Sequence, residues 1–223
     1  MTNQSPKQML LEQFARIGKA ISSPTRIEML EFLAQNEKNV ETLAAMTKST
    51  VANTSQHLQQ LRQVGLVTSR KDGQRVYYRL ADETAVELMM LVRKIAERNI
   101  AEVEQLINLY LKSKDAFEAV PADELLERVK AGTVIILDVR PPDEYAAGHV
   151  PGALNVPFKE LEKHVHKLNA KTEVIAYCRG PYCLLAYDTV EKLREKNIKA
   201  HRLEDGFPEW KRRGFPVEKG EKK

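Results

Sequence analysis

Two short apolar runs most constrain what this chain can fold into: Thr133-Val134-Ile135-Ile136-Leu137-Asp138 and Val174-Ile175-Ala176-Tyr177. A strand with one wet face alternates apolar and polar residues. These runs do not alternate, which is the pattern of strands buried on both faces in a parallel sheet. Helical patterns surround them, over Pro121 to Ala131 (stopped by Gly132), Glu160 to Leu168, and Leu184 to about Lys196. Lys199-Ala200-His201-Arg202-Leu203 reads as a last short strand. Strands alternating with helices specify an α/β layered domain. Ligands of such sheets gather at the carboxyl ends of the strands.

One of those ends carries Tyr177-Cys178-Arg179-Gly180-Pro181-Tyr182-Cys183. A cysteine between a strand and a helix start lies where backbone N–H groups lack intrahelical partners and where the helix dipole is positive. Both favour the thiolate, which is the nucleophile. Gly180 permits a tight loop, and Pro181 stiffens it while removing one donor. On these residues alone, Cys178 is either such a nucleophile or a small buried hydrophobe. Cys183 is either a resolving thiol or a buried residue at the helix start.

The first half has a different rhythm. Helical spacing runs from Lys7 to Ile21, then through Ile27, Leu30 and Leu33 after Ser23-Pro24, a favoured cap and first-turn pair. Val40 to Thr47 is a short helix, and Lys48-Ser49-Thr50 turns the chain into a further helix, Val51 to Gln63, ended by Gly65. Two helices so joined suggest a helix-turn-helix. Its second helix offers Leu58 and Leu61 to a core, and Asn53, Thr54, Ser55, Gln56 and His57 to base edges and phosphates. Leu66 to Lys71 and Arg75 to Leu80 read as a hairpin with Asp72-Gly73 as its turn signal. Arg70, Lys71, Arg75 and Arg79 make it a basic ribbon suited to phosphates. From Asp82 to about Lys112 an apolar stripe recurs without Gly or Pro, so one long helix is expected. Nothing obvious in so small a domain covers it, which points to dimerisation. The polar Lys112-Ser113-Lys114-Asp115 closes the first domain.

The totals exclude other classes. The chain has 223 residues, a mild net charge of +4 and two cysteines. No apolar stretch nears the roughly 20 residues of a membrane span. The start, Met1 to Lys7, lacks a signal-peptide layout. Two cysteines five positions apart would close a tiny loop and add little stability as a staple. The expected compartment is the cytoplasm, where cysteine serves chemistry more than structure.

Two resemblances follow. Ser23-Pro24-Thr25-Arg26-Ile27, Leu43-Ala44, Ser55 to Leu61, Val64-Gly65-Leu66-Val67 and Gly73 to Leu80 resemble the ArsR family of winged-helix repressors. The resemblance implies a homodimer, paired through the first helix and the Asp82–Lys112 helix, that binds a double-stranded DNA operator. Its metal-sensing branch keeps Cys, His or Asp ligands that this half lacks, so neither metal nor cofactor is expected. Asp138-Val139-Arg140, Glu144 to Ala153, Asp205 to Trp210 and Gly214-Phe215-Pro216-Val217 resemble the rhodanese signature. That implies a Cys178 thiolate that takes sulfane sulfur from a small donor and passes it to a thiol acceptor, a rhodanese-type sulfurtransferase chemistry. Residues Arg179, Gly180, Pro181, Tyr182 and Cys183 would form the anion-binding loop, with Arg179 its only cation. Cdc25-type phosphatases share that fold but end their Cys-x5-Arg loop in Arg, where this chain has Leu184.

The expectation is a mainly α winged helix-turn-helix domain over 1–112 and an α/β rhodanese-like domain, a parallel sheet with flanking helices, over 113–223. The leading function is a regulator whose DNA binding follows the sulfur state of Cys178. The alternatives are a sulfurtransferase tethered to DNA without such control, and an idle rhodanese fold that binds a partner.

Overall fold

The computed structural model describes residues 5–112, 119–165 and 172–220. The chain forms two compact units, Met1–Met89 and Met90–Lys223.

In the first unit α1 spans Pro6–Ile21, α2 Pro24–Leu33, β1 Lys38–Asn39, α3 Val40–Met46, α4 Val51–Gln63, β2 Val67–Asp72 and β3 Arg75–Leu80. Local chemistry sets the helix starts. Ser5, Asn39 and Thr50 each accept a bond from a first-turn amide, of Gln8, Thr42 and Asn53 respectively. Ser23 stands at the N-cap of α2 but makes no such bond, so Pro24 is the stronger start signal there. Gly65 follows the α4 cap with φ +76°, a left-handed position that glycine enters without a Cβ penalty. Met29, Leu30, Leu33, Leu43, Leu58, Leu61, Val67 and Tyr78 form the core.

The three strands are antiparallel in the order β1-β3-β2. β1 escaped the sequence reading because two residues carry no periodicity. The hairpin differs from expectation by one residue. Asp72 pairs with Arg75, so Gly73 and Gln74 form the turn and Asp72 ends the strand.

The expected single helix over Asp82–Lys112 is not formed. α5 spans Thr84–Asn99 and α6 Ala101–Ile107, followed by a π-helical turn over Asn108–Lys112. Ile100 between them is extended, at φ −112° and ψ 104°. Neither Gly nor Pro marks the break. The Asn99 side-chain amide donates to the Ile95 carbonyl at 2.7 Å, a local bond that competes with the helix ladder. The apolar stripe is nonetheless exposed, at Leu91, Ile95, Ile100, Leu106, Leu109 and Tyr110. The unit boundary falls inside α5, and Arg93 and Glu97 belong to the second unit. Residues Ser113 to Asp115, where the domain end was placed, lie outside the described residues.

In the second unit α7 spans Ala122–Lys130, β4 Val134–Asp138, α8 Pro142–Ala147, β5 Leu154–Asn155, α9 Leu161–His164, β6 Glu173–Tyr177, α10 Leu184–Glu195, β7 Ala200–Arg202 and α11 Phe207–Arg212. All strand pairs are parallel, in the order β5-β4-β6-β7. Alternate side chains go to opposite faces. Leu137, Val174 and Ala176 join Leu161, Val190 and Leu193 on one side. Ile136, Ile175 and Tyr177 join Leu125, Phe207 and Trp210 on the other. Two separate cores on one sheet are the physical reason the runs show no alternation. The expected helix over Glu160–Leu168 is a 3-10 turn at Phe158–Glu160 followed by the single turn of α9. Its expected end, with His166, lies outside the described residues.

Candidate functional site

Cys178 follows the last residue of β6 and is 1% exposed, packed with Val174 and Ala176. Its sulfur is joined to that of Cys183 in a disulfide, with the Cα atoms 6.1 Å apart, a spacing within the ordinary range for such a bond. Cys183 is also the N-cap residue of α10, so it is at once a helix-start residue and a thiol within bonding reach. Its backbone N–H donates to the Gly180 carbonyl at 3.1 Å. The expected cradle of loop amides is therefore smaller than the sequence suggested. Cys183 spends its donor inside the loop and Pro181 has none.

The loop is tied down on several sides. The Arg179 guanidinium is forked onto the Glu144 carboxylate by bonds of 2.8–3.0 Å, and the Glu144 side chain is fully buried. That ion pair makes Arg179 a strut between loop and α8. The Cys178 carbonyl accepts the Phe207 N–H at 3.1 Å, and the Pro181 carbonyl accepts the Tyr187 hydroxyl at 3.1 Å. Gly206 meets the loop backbone so closely that a Cβ there would overlap Arg179 and Gly180. Tyr182 donates its hydroxyl to Glu97. Burial first, then that bond, raises the Tyr182 pKa, so the phenol remains a donor.

Under the loop, Asp138 and Arg140 form a fully buried ion pair. Asp138 also accepts the Tyr177 hydroxyl at 2.6 Å, and that hydroxyl accepts the Val150 N–H at 3.0 Å. Burial, then the Asp138 charge, pushes the Tyr177 pKa well above its ordinary value. His149 stacks on Tyr145 at 3.7 Å and its Nδ1 lies 3.0 Å from the Tyr145 carbonyl, so it serves the packing of the signature segment.

In the first unit, α4 turns Asn53 and Gln56 fully to solvent, and Ser55 and His57 partly. Thr54 is a correction to the sequence reading. It is completely buried, on the same helical stripe as Leu58 and Leu61, so it belongs to the core and not to a base-reading face. His57 is braced from behind, its Nδ1 lying 3.4 Å from Arg26, which itself donates to Gln60 at 2.7 Å. Burial, then the Arg26 charge, lowers the His57 pKa, so the ring is a neutral hydrogen-bonding group at physiological pH.

The hairpin register sorts its charges. Arg70 faces Tyr77 and Asp72 faces Arg75 across the ribbon, so Arg70, Arg75, Tyr77 and Arg79 share one face while Lys71 lies on the other. Arg70 is partly neutralised by Glu37 and by Asp72, the latter at 3.0 Å, and its guanidinium sits 4.8 Å from the Tyr77 ring centre. Arg75 and Arg79 are exposed on that face.

No helix among the described residues is long and apolar enough to cross a membrane. Sequence reasoning missed Gly206, Glu209, Arg93 and Glu97 as neighbours of the loop. Gly206 lies inside the quoted C-terminal signature and could have been suspected as a close-approach glycine. Nothing local distinguishes Arg93 or Glu97 from the other charged residues of a surface helix.

Residues 121–213 match the rhodanese-like domain family, and residues 23–69 match the bacterial regulatory protein, arsR family. The chain is 41% identical over 214 residues to the HTH-type transcriptional regulator Rv0324 of Mycobacterium tuberculosis, covering 96% of this chain and 94% of that one. It is 34% identical over 88 residues to YrkF of Bacillus subtilis, a candidate sulfur carrier protein, covering 39% of this chain and 43% of that protein. A solution structure of the homodimeric winged helix-turn-helix DNA-binding domain of Mb0332 from Mycobacterium bovis is 40% identical. It covers 45% of this chain and 94% of that fragment, with a TM-score of 0.40.

Proposed function

This chain belongs to the ArsR-type transcriptional regulators that carry a C-terminal rhodanese-like domain, and we propose that its Cys178 takes up sulfane sulfur and thereby shifts its binding to DNA. The observation that carries the proposal is the pairing of Cys178, at the carboxyl end of a central parallel strand, with Cys183 within bonding reach. Sulfur uptake begins from the reduced pair. The Cys178 thiolate attacks a terminal sulfane sulfur of an inorganic polysulfide. A new S–S bond forms on Cys178, the donor's S–S bond breaks, and its electron pair leaves with the shortened polysulfide. Cys183 then loses its proton and attacks the Cys178 sulfur. The outer sulfur departs as hydrosulfide and the Cys178–Cys183 disulfide is left. Overall one sulfane sulfur is reduced and two thiols are oxidised, and two equivalents of an external thiol, themselves oxidised to a disulfide, return the pair to its starting state. Backbone amides of the loop would steady the persulfide anion.

On the DNA side, Asn53, Ser55, Gln56 and His57 of α4 would enter the major groove, with Arg75, Arg79 and the half-neutralised Arg70 on flanking phosphates. A second copy of the chain would cover the exposed Met9, Leu10, Leu11 and Phe14 of α1 and the stripe at Leu91 and Ile95 of α5, and a two-fold operator would match that dimer. A regulator of this kind works in the cytoplasm.

The coupling is tested on a fluorescent duplex selected by the reduced protein from a random-sequence pool. Wild type should change its affinity by at least about fivefold on polysulfide treatment, the lower range of allosteric couplings. Cys178→Ser should bind equally with and without it. Four equal affinities would end the regulatory reading. If sulfur turnover persisted alongside them, the protein would be a sulfurtransferase tethered to DNA.

A further inference from the structure

Three features of the second unit converge on one place. Arg93 of α5 donates from Nη1 to Glu209 Oε1 at 2.9 Å, with its side chain 17% exposed and that of Glu209 4% exposed. The other oxygen of Glu209 accepts the Gly206 N–H at 3.1 Å. Gly206 is the residue that lies directly against the backbone of Arg179 and Gly180. One buried carboxylate thus joins a guanidinium of α5 to the backbone that supports the cysteine loop. Arg93 also reaches the loop itself. Its guanidinium lies 5.5 Å from the centre of the Tyr182 ring, and a Cβ on Gly180 would stand 3.8 Å from Nη2. One turn further along α5, Glu97 accepts the Tyr182 hydroxyl.

We propose that Arg93 and Glu97 are positioning residues for the sulfur-accepting loop, Arg93 through Glu209 and Gly206 and Glu97 through Tyr182. The inference rests on the reading of Cys178 as the acceptor. Both residues lie on α5, outside the segment 121–213 that matches the rhodanese-like family. The second unit therefore draws on residues that precede the segment matched to that family.

The consequence is a definite sign. Among the described residues, the charged groups around the loop include Arg179 with Glu144, Arg93 with Glu209, Glu97, and Arg202 over the Tyr187 ring, above the buried Asp138–Arg140 pair. By electrostatics alone, removing the negative charge of Glu97 favours a nearby thiolate and lowers the Cys178 pKa. Loss of loop order acts oppositely, because amides that no longer hold one geometry stabilise the thiolate less. Positioning therefore predicts that Glu97→Leu raises the Cys178 pKa even though it deletes an anion.

The test uses the reduced full-length protein carrying Cys183→Ser, so that a single thiol reports. Its alkylation by neutral iodoacetamide is followed from pH 5 to 10 for the parent and for Glu97→Leu, Arg93→Met and Tyr182→Phe. Each variant should shift the profile to higher pH by about one unit, which slows alkylation about tenfold on the acid limb. Far-ultraviolet circular dichroism should stay unchanged. Profiles that superimpose on the parent, or a Glu97→Leu profile shifted to lower pH, overturn the positioning role while leaving Cys178 as acceptor. A parent thiol no more reactive than glutathione overturns both readings.

Discussion

Replacing Arg140 by alanine is expected to destabilise the second unit by about 3–5 kcal/mol, the cost of breaking a buried ion pair from one side. Asp138 and Arg140 are both fully buried, and the arginine has several duties. Besides binding Asp138 it donates from Nη2 to the Gly148 carbonyl at 2.7 Å, and its guanidinium sits 4.2 Å from the centre of the Phe207 ring. Removing it strands a carboxylate in the sheet with the Tyr177 hydroxyl and the Arg140 backbone N–H as its remaining donors among the described contacts. Lys130→Ala provides the comparison. Its pair with Glu127 is largely exposed at 62% and 73%, so its loss should cost no more than about 1 kcal/mol. Urea unfolding followed by Trp210 fluorescence reads the second unit selectively, because Trp210 is the chain's single tryptophan and is fully buried there. Equal midpoints for the two variants would show that the buried pair is not a cornerstone of this domain.

The second large effect is expected at Gly206. Its φ of −102° is open to any residue, so an alanine there carries no backbone strain. The cost comes from contact: the new methyl would overlap Gly180 N and Cα and Arg179 C, all backbone atoms that cannot swing aside. Gly206→Ala should therefore lower stability by about 1–3 kcal/mol, as overpacking does. It should also slow sulfur uptake by about a hundredfold, because displacement of a reacting group by an ångström has that order of effect. Gly214→Ala is the opposite case. Its φ of +74° is strained for alanine, costing about 1–2 kcal/mol, but no atom stands within 4 Å of the new methyl. It should leave the uptake rate untouched, and a stopped-flow comparison of the two variants with polysulfide separates loop displacement from simple destabilisation.

How much of this was legible depended on how local the cause was. Val134–Asp138 and Glu173–Tyr177 announced a parallel sheet because a strand buried on both faces has nowhere to place a polar side chain. The place of Cys178 followed from the same runs. The α4 helix is legible from its caps and from Leu58 and Leu61, but the burial of Thr54 is not. Its hydroxyl argued for a surface, and its position on the buried stripe argued for the core and prevailed. The break at Ile100 carried no Gly or Pro to announce it. The brace on the loop was illegible for a deeper reason. Arg93 and Glu209 are 116 positions apart, and a contact at that distance is set by the assembled sheet and helices.

Cys178 is the residue on which the sulfur chemistry depends, and peptide-resolved mass measurement reads it directly. The reduced protein is treated with inorganic polysulfide and trapped by alkylation. Cys183→Ser should gain about 32 Da, one sulfur atom, on the peptide holding Cys178. Wild type should instead end with Cys178 and Cys183 linked, and Cys178→Ser should gain nothing at position 183. Added sulfur on Cys183 in the Cys178→Ser protein, or an unmodified Cys178 in the Cys183→Ser protein, would contradict it.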